Sequence, residues 1–324
     1  MGAFYYWANE GNLGDLLIAE ATRQFFRREN LDWRPYCPAN PPREDSYCLV
    51  YGGGGRFTSH WGGLEPFQNA LTAPQVQKCI ILPHSFYEAD DFLQGLDNRH
   101  TVFCRGLRSY LYVKSAVAPQ VCVELADDMA LALCLEDLDR TGVSFKDYEH
   151  EQDELAHLLK QGVGRIMKRK VWLATVRHKL KGRRRKIAFL LRTDAEKRIS
   201  HSSPLAYDIS LVWNSSCAGN TYTPGLIHLF AAALRHPDIV VTDRLHVGIL
   251  SLLCGKKVYL IDNNYGKLGE VCHLSLQNRF PVQLVTTPEL PAELHPAFRQ
   301  LNTGLFSRLF LPLRRQLRQL RKHV

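Results

Sequence analysis

Five short apolar runs in the first 125 residues each end on a polar or glycine-rich cluster, and that recurrence limits what the chain can fold into. AFYYW (3–7) leads to NEGNLGD, SYCLVY (46–51) to GGGGRF, KCIILP (78–83) to PHS, TVFCR (101–105) to CRGLRS and VCVEL (121–125) to ADD. Apolar runs of this length suit strands buried on both faces, as in parallel sheets. Helical spacing predicts a helix over Asp15–Glu29, with Leu16, Leu17, Ala21 and Phe25 on its apolar side, and another over Leu107–Val117. Strands alternating with helices give a doubly wound α/β sheet, with the strand carboxyl ends along one edge.

The pattern pauses and restarts. From about residue 136 to 186 the composition turns charged and strand character is lost; KIAFLLRTD (186–194) then reads as a strand ending at Arg192. A polar stretch holding SHSSP and NSSCAGN follows, then a helix around Pro224–Arg235, and after Gln277 a last short strand, FPVQLV, and a C-terminal helix. A chain of 324 residues accommodates two domains of roughly 150 residues each. The expected division is an N-terminal Rossmann-like domain over 1–145, a basic connection over 146–185, a second Rossmann-like domain over 186–300 and a basic amphipathic helix over 301–324.

Within the second half, DIVV (Asp238–Val241) suits a buried strand, VGILSLLCG a short helix closed by Gly255, and KVYLID the next strand. Asp243, Arg244 and His246 fall on the turn between strand and helix. In open α/β sheets ligands bind there, outside the carboxyl ends of the strands.

The net charge of +9 is unevenly placed. Residues 165–186 hold eleven Lys/Arg and no acid, and residues 308–324 hold six and no acid; setting those 17 aside leaves 24 basic against 32 acidic residues. The two segments suit anionic lipid head groups or a solvated helix face, and no nucleic-acid module accompanies them. No apolar run reaches the ~18 residues of a membrane span, and a secretory or myristoylation signal is not seen, so the expected location is cytoplasmic, with peripheral contact at the inner membrane face. The nine cysteines lack CxxC or Cys/His zinc spacing and read as reduced thiols; no metal site is expected. GNLGD is not GxGxxG, and GGGG (52–55) lacks the Lys-Ser/Thr of a P-loop, which argues against NAD and against a Walker-type nucleotide site.

NEGNLGDLLIAEA (9–21), YGGGGRF (51–57), LPHS (82–85), CRGLRS (104–109), VELADD (123–128), TDRLHVGILSLLCGKKVYLID (242–262) and NNYGKLGE (263–270) occur in this order. Together they resemble the polysaccharide pyruvyl transferase family over nearly the whole chain, apart from 136–186 and the tail. The resemblance implies two Rossmann-like domains facing a cleft, similar to B-type glycosyltransferases. It also implies transfer of the enolpyruvyl unit of phosphoenolpyruvate onto a sugar of a cell-envelope polysaccharide or exopolysaccharide as a pyruvate ketal, with phosphate released and no cofactor. The expected partner beside phosphoenolpyruvate is a glycan acceptor, free or carried as a lipid-linked oligosaccharide. Two departures stand out: Asp128 where a proline often follows the aspartate, and the basic insertion.

By that resemblance Arg192, Leu245 and His246 match donor-contacting positions, Leu245 through its backbone. Arg244, at the helix start, adds a second guanidinium able to grip carboxylate or phosphate at two points. His246, which changes protonation near neutral pH, can bind phosphate as a cation or hand over a proton, assisting either protonation of the methylene carbon or departure of phosphate; the plainer alternative has Asp243 paired with Arg244 and His246 capping the helix. Asn12, Gly14 and Asp15 occupy a strand-to-helix turn, where Asp15 reads either as a helix cap or as the base for an acceptor hydroxyl. Gly53, Gly54 and His84 are the remaining acceptor-side candidates, His84 reading equally as a satisfied loop histidine, while Arg105 and Asp127 read as strand-end scaffolding between domains.

Two rivals share this outline. A B-type glycosyltransferase using a nucleotide sugar needs a carboxylate for ribose hydroxyls, and Glu270 is available for it. A non-catalytic scaffold of polysaccharide assembly is the other. The tail spaces Leu313, Leu317 and Leu320 at helical intervals among arginines, which suits either the inner leaflet or a return across the first domain. If it binds the membrane, full-length protein floats with anionic liposomes and a version ending at Phe306 does not; equal partitioning of the two removes that role.

Overall fold

The computed structural model describes residues 4–9, 11–58, 64–139, 187–192, 227–228, 230–231, 234–263 and 266–286. The expected 146–185 connection and C-terminal helix lie outside the described residues.

The first half forms a six-stranded sheet in the order β2-β1-β3-β4-β5-β6, all parallel: β1 (Phe4–Trp7), β2 (Trp33–Pro35), β3 (Tyr47–Tyr51), β4 (Val76–His84), β5 (His100–Cys104) and β6 (Cys122–Leu125). The second half adds a four-stranded parallel sheet, β10-β9-β8-β7, from β7 (Ile187–Leu190), β8 (Ile239–Thr242), β9 (Lys257–Ile261) and β10 (Val282–Val285). The α/β class with two parallel sheets is therefore observed. β2, three residues with an exposed end, has too little apolar character to stand out in the sequence. β7 stops at Leu190, two residues before the Arg192 end expected for it.

Strand order reverses at β1, which pairs with β2 on one side and β3 on the other. A crevice opens outside the carboxyl ends at such a switch point. Gly52 N–H donates to Trp7 C=O at 2.7 Å, so the loops leaving β3 and β1 start side by side.

Helix α1 (Leu13–Arg28) begins two residues earlier than helical spacing indicated. The reason is a capping box: the Asn12 side chain accepts from Gly14 N–H at 2.8 Å, and Asp15 accepts from Asn12 N–H at 3.0 Å. Asn12 is thus the cap and Asp15 the third helical residue, which corrects the reading of Asp15 as the cap. The short helices α2 (Glu65–Leu71), α3 (Asp90–Gln94), α4 (Leu107–Ala116) and α5 (Leu135–Asp139) follow. In the second half α6 (Leu245–Leu253) ends at Cys254, with Gly255 beyond it at φ 73°, the left-handed stop expected there. α7 (Lys267–Val271) follows β9. Among the described residues no helix is long and apolar enough to cross a membrane.

α1 is buried on both sides. Ala19 and Phe26 pack with Tyr6 and Val50 of the first sheet. Leu13, Leu16, Leu17 and Ala21 share one apolar cluster with Leu245 and Ile249 of α6 and with Val240 and Leu260 of the second sheet. The two halves therefore meet through a common core at α1. Leu17 is fully buried in it, so Leu17→Ala is expected to lower stability by about 2–5 kcal/mol in chemical denaturation.

Candidate active site

The site assembles from strand ends of both sheets. After β8, Arg244 takes an extended conformation (φ −105°, ψ 112°) and becomes the N-cap of α6, so His246 sits in the helix's first turn rather than on the preceding loop. Among the described residues no side chain caps that N-terminus, and its backbone N–H groups with the positive end of the helix dipole suit an anion. Leu245 is the first helical residue, the position expected to contribute its backbone. Asp243, Arg244 and Arg192 are all buried. Asp243 Oδ1 accepts from Arg192 N–H at 2.7 Å, tying the end of β7 to the end of β8.

α1 and α6 approach each other at their first turns. A Cβ placed on Gly14 would lie 2.6 Å from His246 Nδ1 and 3.1 Å from His246 Cβ, so only glycine admits the imidazole at this point. Across the ring, Nε2 lies 3.5 Å from Asp128 Oδ2 and 3.4 Å from Arg105 Nη1. Arg105 is buried at the end of β5; it donates to Asp128 Oδ2 at 2.6 Å and to Ser85 Oγ at 2.9 Å. Asp128 Oδ1 accepts from Ala130 N–H at 2.9 Å. Lys267, at the start of α7, brings its ammonium against Gly55, where a Cβ would also meet Arg105 Nη2 at 3.3 Å. Imidazole, guanidinium and ammonium are thereby gathered where both sheets end.

The carboxylates around them differ in state. Burial works against the charge of Asp128, but Arg105 and His246, with the Ala130 N–H, hold its carboxyl well below the usual range. Burial raises Asp15, and the His246 charge and the Asn12 N–H only partly offset it. Two carboxyl groups pushed in opposite directions beside one imidazole form the pattern by which acid–base roles divide.

Other expected residues fall elsewhere. His84 has no exposed surface: its Nδ1 donates to Leu82 C=O at 2.8 Å, its ring stacks on Tyr51 at 5.3 Å, and burial pushes it down to about 3, so it is neutral. It forms the floor beneath Arg105 rather than the acceptor surface expected of it. Gly53 packs against β4, where a Cβ would lie 2.9 Å from Pro83 O, whereas Gly54, at φ 146°, faces Asn9 and Asp15. Asp127 is paired by Arg279 at 2.5 and 3.2 Å, a contact between the two halves that agrees with its scaffold reading. Glu270 Oε2 accepts from Ser109 N–H at 3.1 Å at the start of α4 and lies against Gly106. Its carboxylate is thus engaged in joining the halves.

Sequence reasoning passed over Lys267 and Asp128 and gave Arg105 a scaffold role. The signal for Lys267 was present, because YGKLGE follows strand KVYLI as DRLH follows DIVV. Asp128 stood next to another aspartate, and composition cannot say which of the two turns inward.

Residues 12–265 match the polysaccharide pyruvyl transferase family profile. The chain is also 25% identical over 289 residues to EpsO of Bacillus subtilis, to which pyruvyl transferase activity is provisionally ascribed; the match covers 81% of each protein. A solved structure of a functionally uncharacterized protein from Klebsiella pneumoniae superposes with a TM-score of 0.66 at 28% identity, over 88% of this chain and 93% of that one.

Asp243 yields a pH prediction. Burial raises its carboxyl to about 6, despite the Arg192 N–H. A carboxyl raised on folding favours the native state below its unfolded value, and that contribution is lost as pH rises through the folded one. Unfolding free energy should carry a component that falls between about pH 4 and about pH 6, and Asp243→Asn should remove that slope in denaturant titrations across the window.

Proposed function

The chain belongs to the polysaccharide pyruvyl transferase family, and on that premise we propose that it transfers the enolpyruvyl unit of phosphoenolpyruvate to two hydroxyls of a sugar, forming a pyruvate ketal and releasing phosphate. The observation that carries this reading is the convergence of Arg105, His246 and Lys267 at the uncapped start of α6. Phosphoenolpyruvate bears a carboxylate and a phosphate on three carbons, and such a compact anion calls for fixed cations and backbone donors at close range. Arg192 and Arg244, buried and both within electrostatic reach of Asp243 on that turn, add to the positive field.

The chemistry needs a proton on the methylene carbon. In this reading protonated His246 supplies it: an N–H bond breaks, a C–H bond forms from the alkene electron pair, and the neighbouring carbon becomes oxocarbenium-like. One sugar hydroxyl adds to that carbon and its proton returns to the enzyme, through Asp15 or directly to the imidazole. The second hydroxyl then displaces phosphate, which carries off the second proton. Partial burial, which raises the Asp15 carboxyl above its ordinary value, suits it to that relay. Asn12, Gly14 and the Gly54 loop beside Asp15 form the acceptor side in this reading, and His246 and Lys267 of the second half with Arg105 of the first form the donor side. A nucleotide-sugar transferase is less well supported, because Glu270 is engaged with the start of α4.

The test is incubation with phosphoenolpyruvate and candidate glycans, followed by NMR for the ketal methyl signal. Wild type is expected to produce it and His246→Ala to lose it with little change in thermal melting. Lys267→Ala should raise the KM for phosphoenolpyruvate about ten- to hundredfold, the value of one lost charge-assisted bond. Melting stabilised by a nucleotide sugar, with phosphoenolpyruvate silent, would reverse the assignment.

A further inference from the structure

We infer that Glu270 is a positioning residue: by closing the start of α4 from the opposite half, it sets where the ammonium of Lys267 stands beside Arg105. The inference deepens the reading above and rests on it for the anion, phosphoenolpyruvate, while the placement of Lys267 is a property of the protein alone.

Lys267 and Glu270 are three residues apart on α7, so their side chains leave one face of it. That face lies over the turn that joins β5 to α4. Lys267 brings its ammonium against Gly55, where a Cβ would lie 3.3 Å from Arg105 Nη2. One turn on, Glu270 rests against Gly106, where a Cβ would lie 2.7 Å from Glu270 Cβ, and its Oε2 accepts from Ser109 N–H at 3.1 Å. Gly106 is the N-cap of α4 and has no side chain with which to cap it. Glu270 supplies that acceptor from the other half, with the sign of charge that suits a helix start. Gly106 holds an extended conformation (φ −160°, ψ 149°) open to any residue. Glycine is called for there by the space Glu270 occupies, a close approach of side chain to backbone.

Within its own half, α7 is held to the end of β9. Asp262 Oδ1 accepts from Leu268 N–H and Gly269 N–H, each at 3.1 Å, and Asn263 Oδ1 accepts from Lys267 N–H at 2.8 Å. These bonds fix the backbone that carries Lys267 but reach nothing in the first half, where Arg105 stands. Glu270 makes that connection from the same helix face. A lysine ammonium ends a flexible four-carbon stem, and a shift of its helix carries the charge away from its neighbours.

The field of Glu270 works in the opposite direction. Its carboxylate lies within electrostatic reach of Arg105 and Arg108. If it acted through charge alone, its loss would strengthen binding of an anion, whereas loss of position weakens it. The two roles therefore differ in sign.

The experiment compares full-length wild type with Lys267→Ala, Glu270→Ala, Glu270→Gln and the Lys267→Ala/Glu270→Ala double variant. Phosphoenolpyruvate binding is measured by calorimetric titration, and acylation of the half-buried Lys267 by mass spectrometry. Glu270→Ala is expected to weaken binding about tenfold, and the double variant to bind no more weakly than Lys267→Ala, as residues acting through one another do. Glu270→Gln keeps an acceptor for the Ser109 N–H without the charge, and is expected to bind at least as well as wild type. Acylation of Lys267 is expected to quicken at least about fivefold in Glu270→Ala and to stay unchanged in Glu270→Gln. Losses that multiply in the double variant, or wild-type affinity in Glu270→Ala, overturn the inference. Unchanged acylation of Lys267 in folded Glu270→Ala overturns it too, whether or not phosphoenolpyruvate binds. Should Glu270→Ala not fold, Gly106→Ala decides: its methyl displaces Glu270 while its backbone stays allowed, and wild-type acylation of Lys267 in that variant overturns the inference. A protein that shows the acylation contrast but binds no phosphoenolpyruvate would support the placement of Lys267 while removing the proposed function.

Discussion

One buried carboxylate joins most of what this site contains. Asp128 receives Arg105 from the end of β5, the Ala130 N–H from its own turn, and the edge of His246 from α6. An ion pair withdrawn from water this fully contributes little net stability by itself, and removing one partner costs about 3–5 kcal/mol because the other charge is stranded. Such a pair is better understood as a device for fixing geometry. Here it locks a guanidinium and an imidazole on opposite sides of the seam between two sheets.

The rest of the site depends on how closely two helix starts approach. α1 begins where it does because Asn12 and Asp15 cap it reciprocally, and Gly14 then turns a bare Cα toward His246. Gly55 does the same for Lys267 on the other side of Arg105. Both close approaches bring cations and carboxyl groups together in a setting where charges interact more strongly than in water. The opposite shifts of Asp15 and Asp128 follow from that setting: one is buried with incomplete compensation, the other with a guanidinium in contact.

Much of this was legible in the sequence. The runs AFYYW, SYCLVY, KCIILP, TVFCR and VCVEL each became a parallel strand, and their polar ends lie at the sheet edge as expected. The DRLH turn could be placed between a strand and a helix because strand, helix and glycine stop all have local signatures. What escaped was set by distance in space. Nothing local separates Asp127, which meets Arg279 on the surface, from Asp128, which turns inward to Arg105. His84 looked like a loop histidine in LPHS, but it belongs to β4 and lies under aromatic rings of β3 and its loop. Glu270 looked available until the start of α4 was seen to take it.

The apolar cluster that α1 shares with α6 has a consequence for how the two halves are held. Leu13, Leu16 and Leu17 are buried against the same neighbours as Leu245 and Ile249, a few residues from the imidazole. Close-packed interiors of this kind resist deformation. Parting the two helices would expose that apolar seam to water, so their relative placement is held by the core they share. The meeting of His246 with Arg105 and Asp128 across the halves is thereby a property of the packed core as much as of the polar groups themselves.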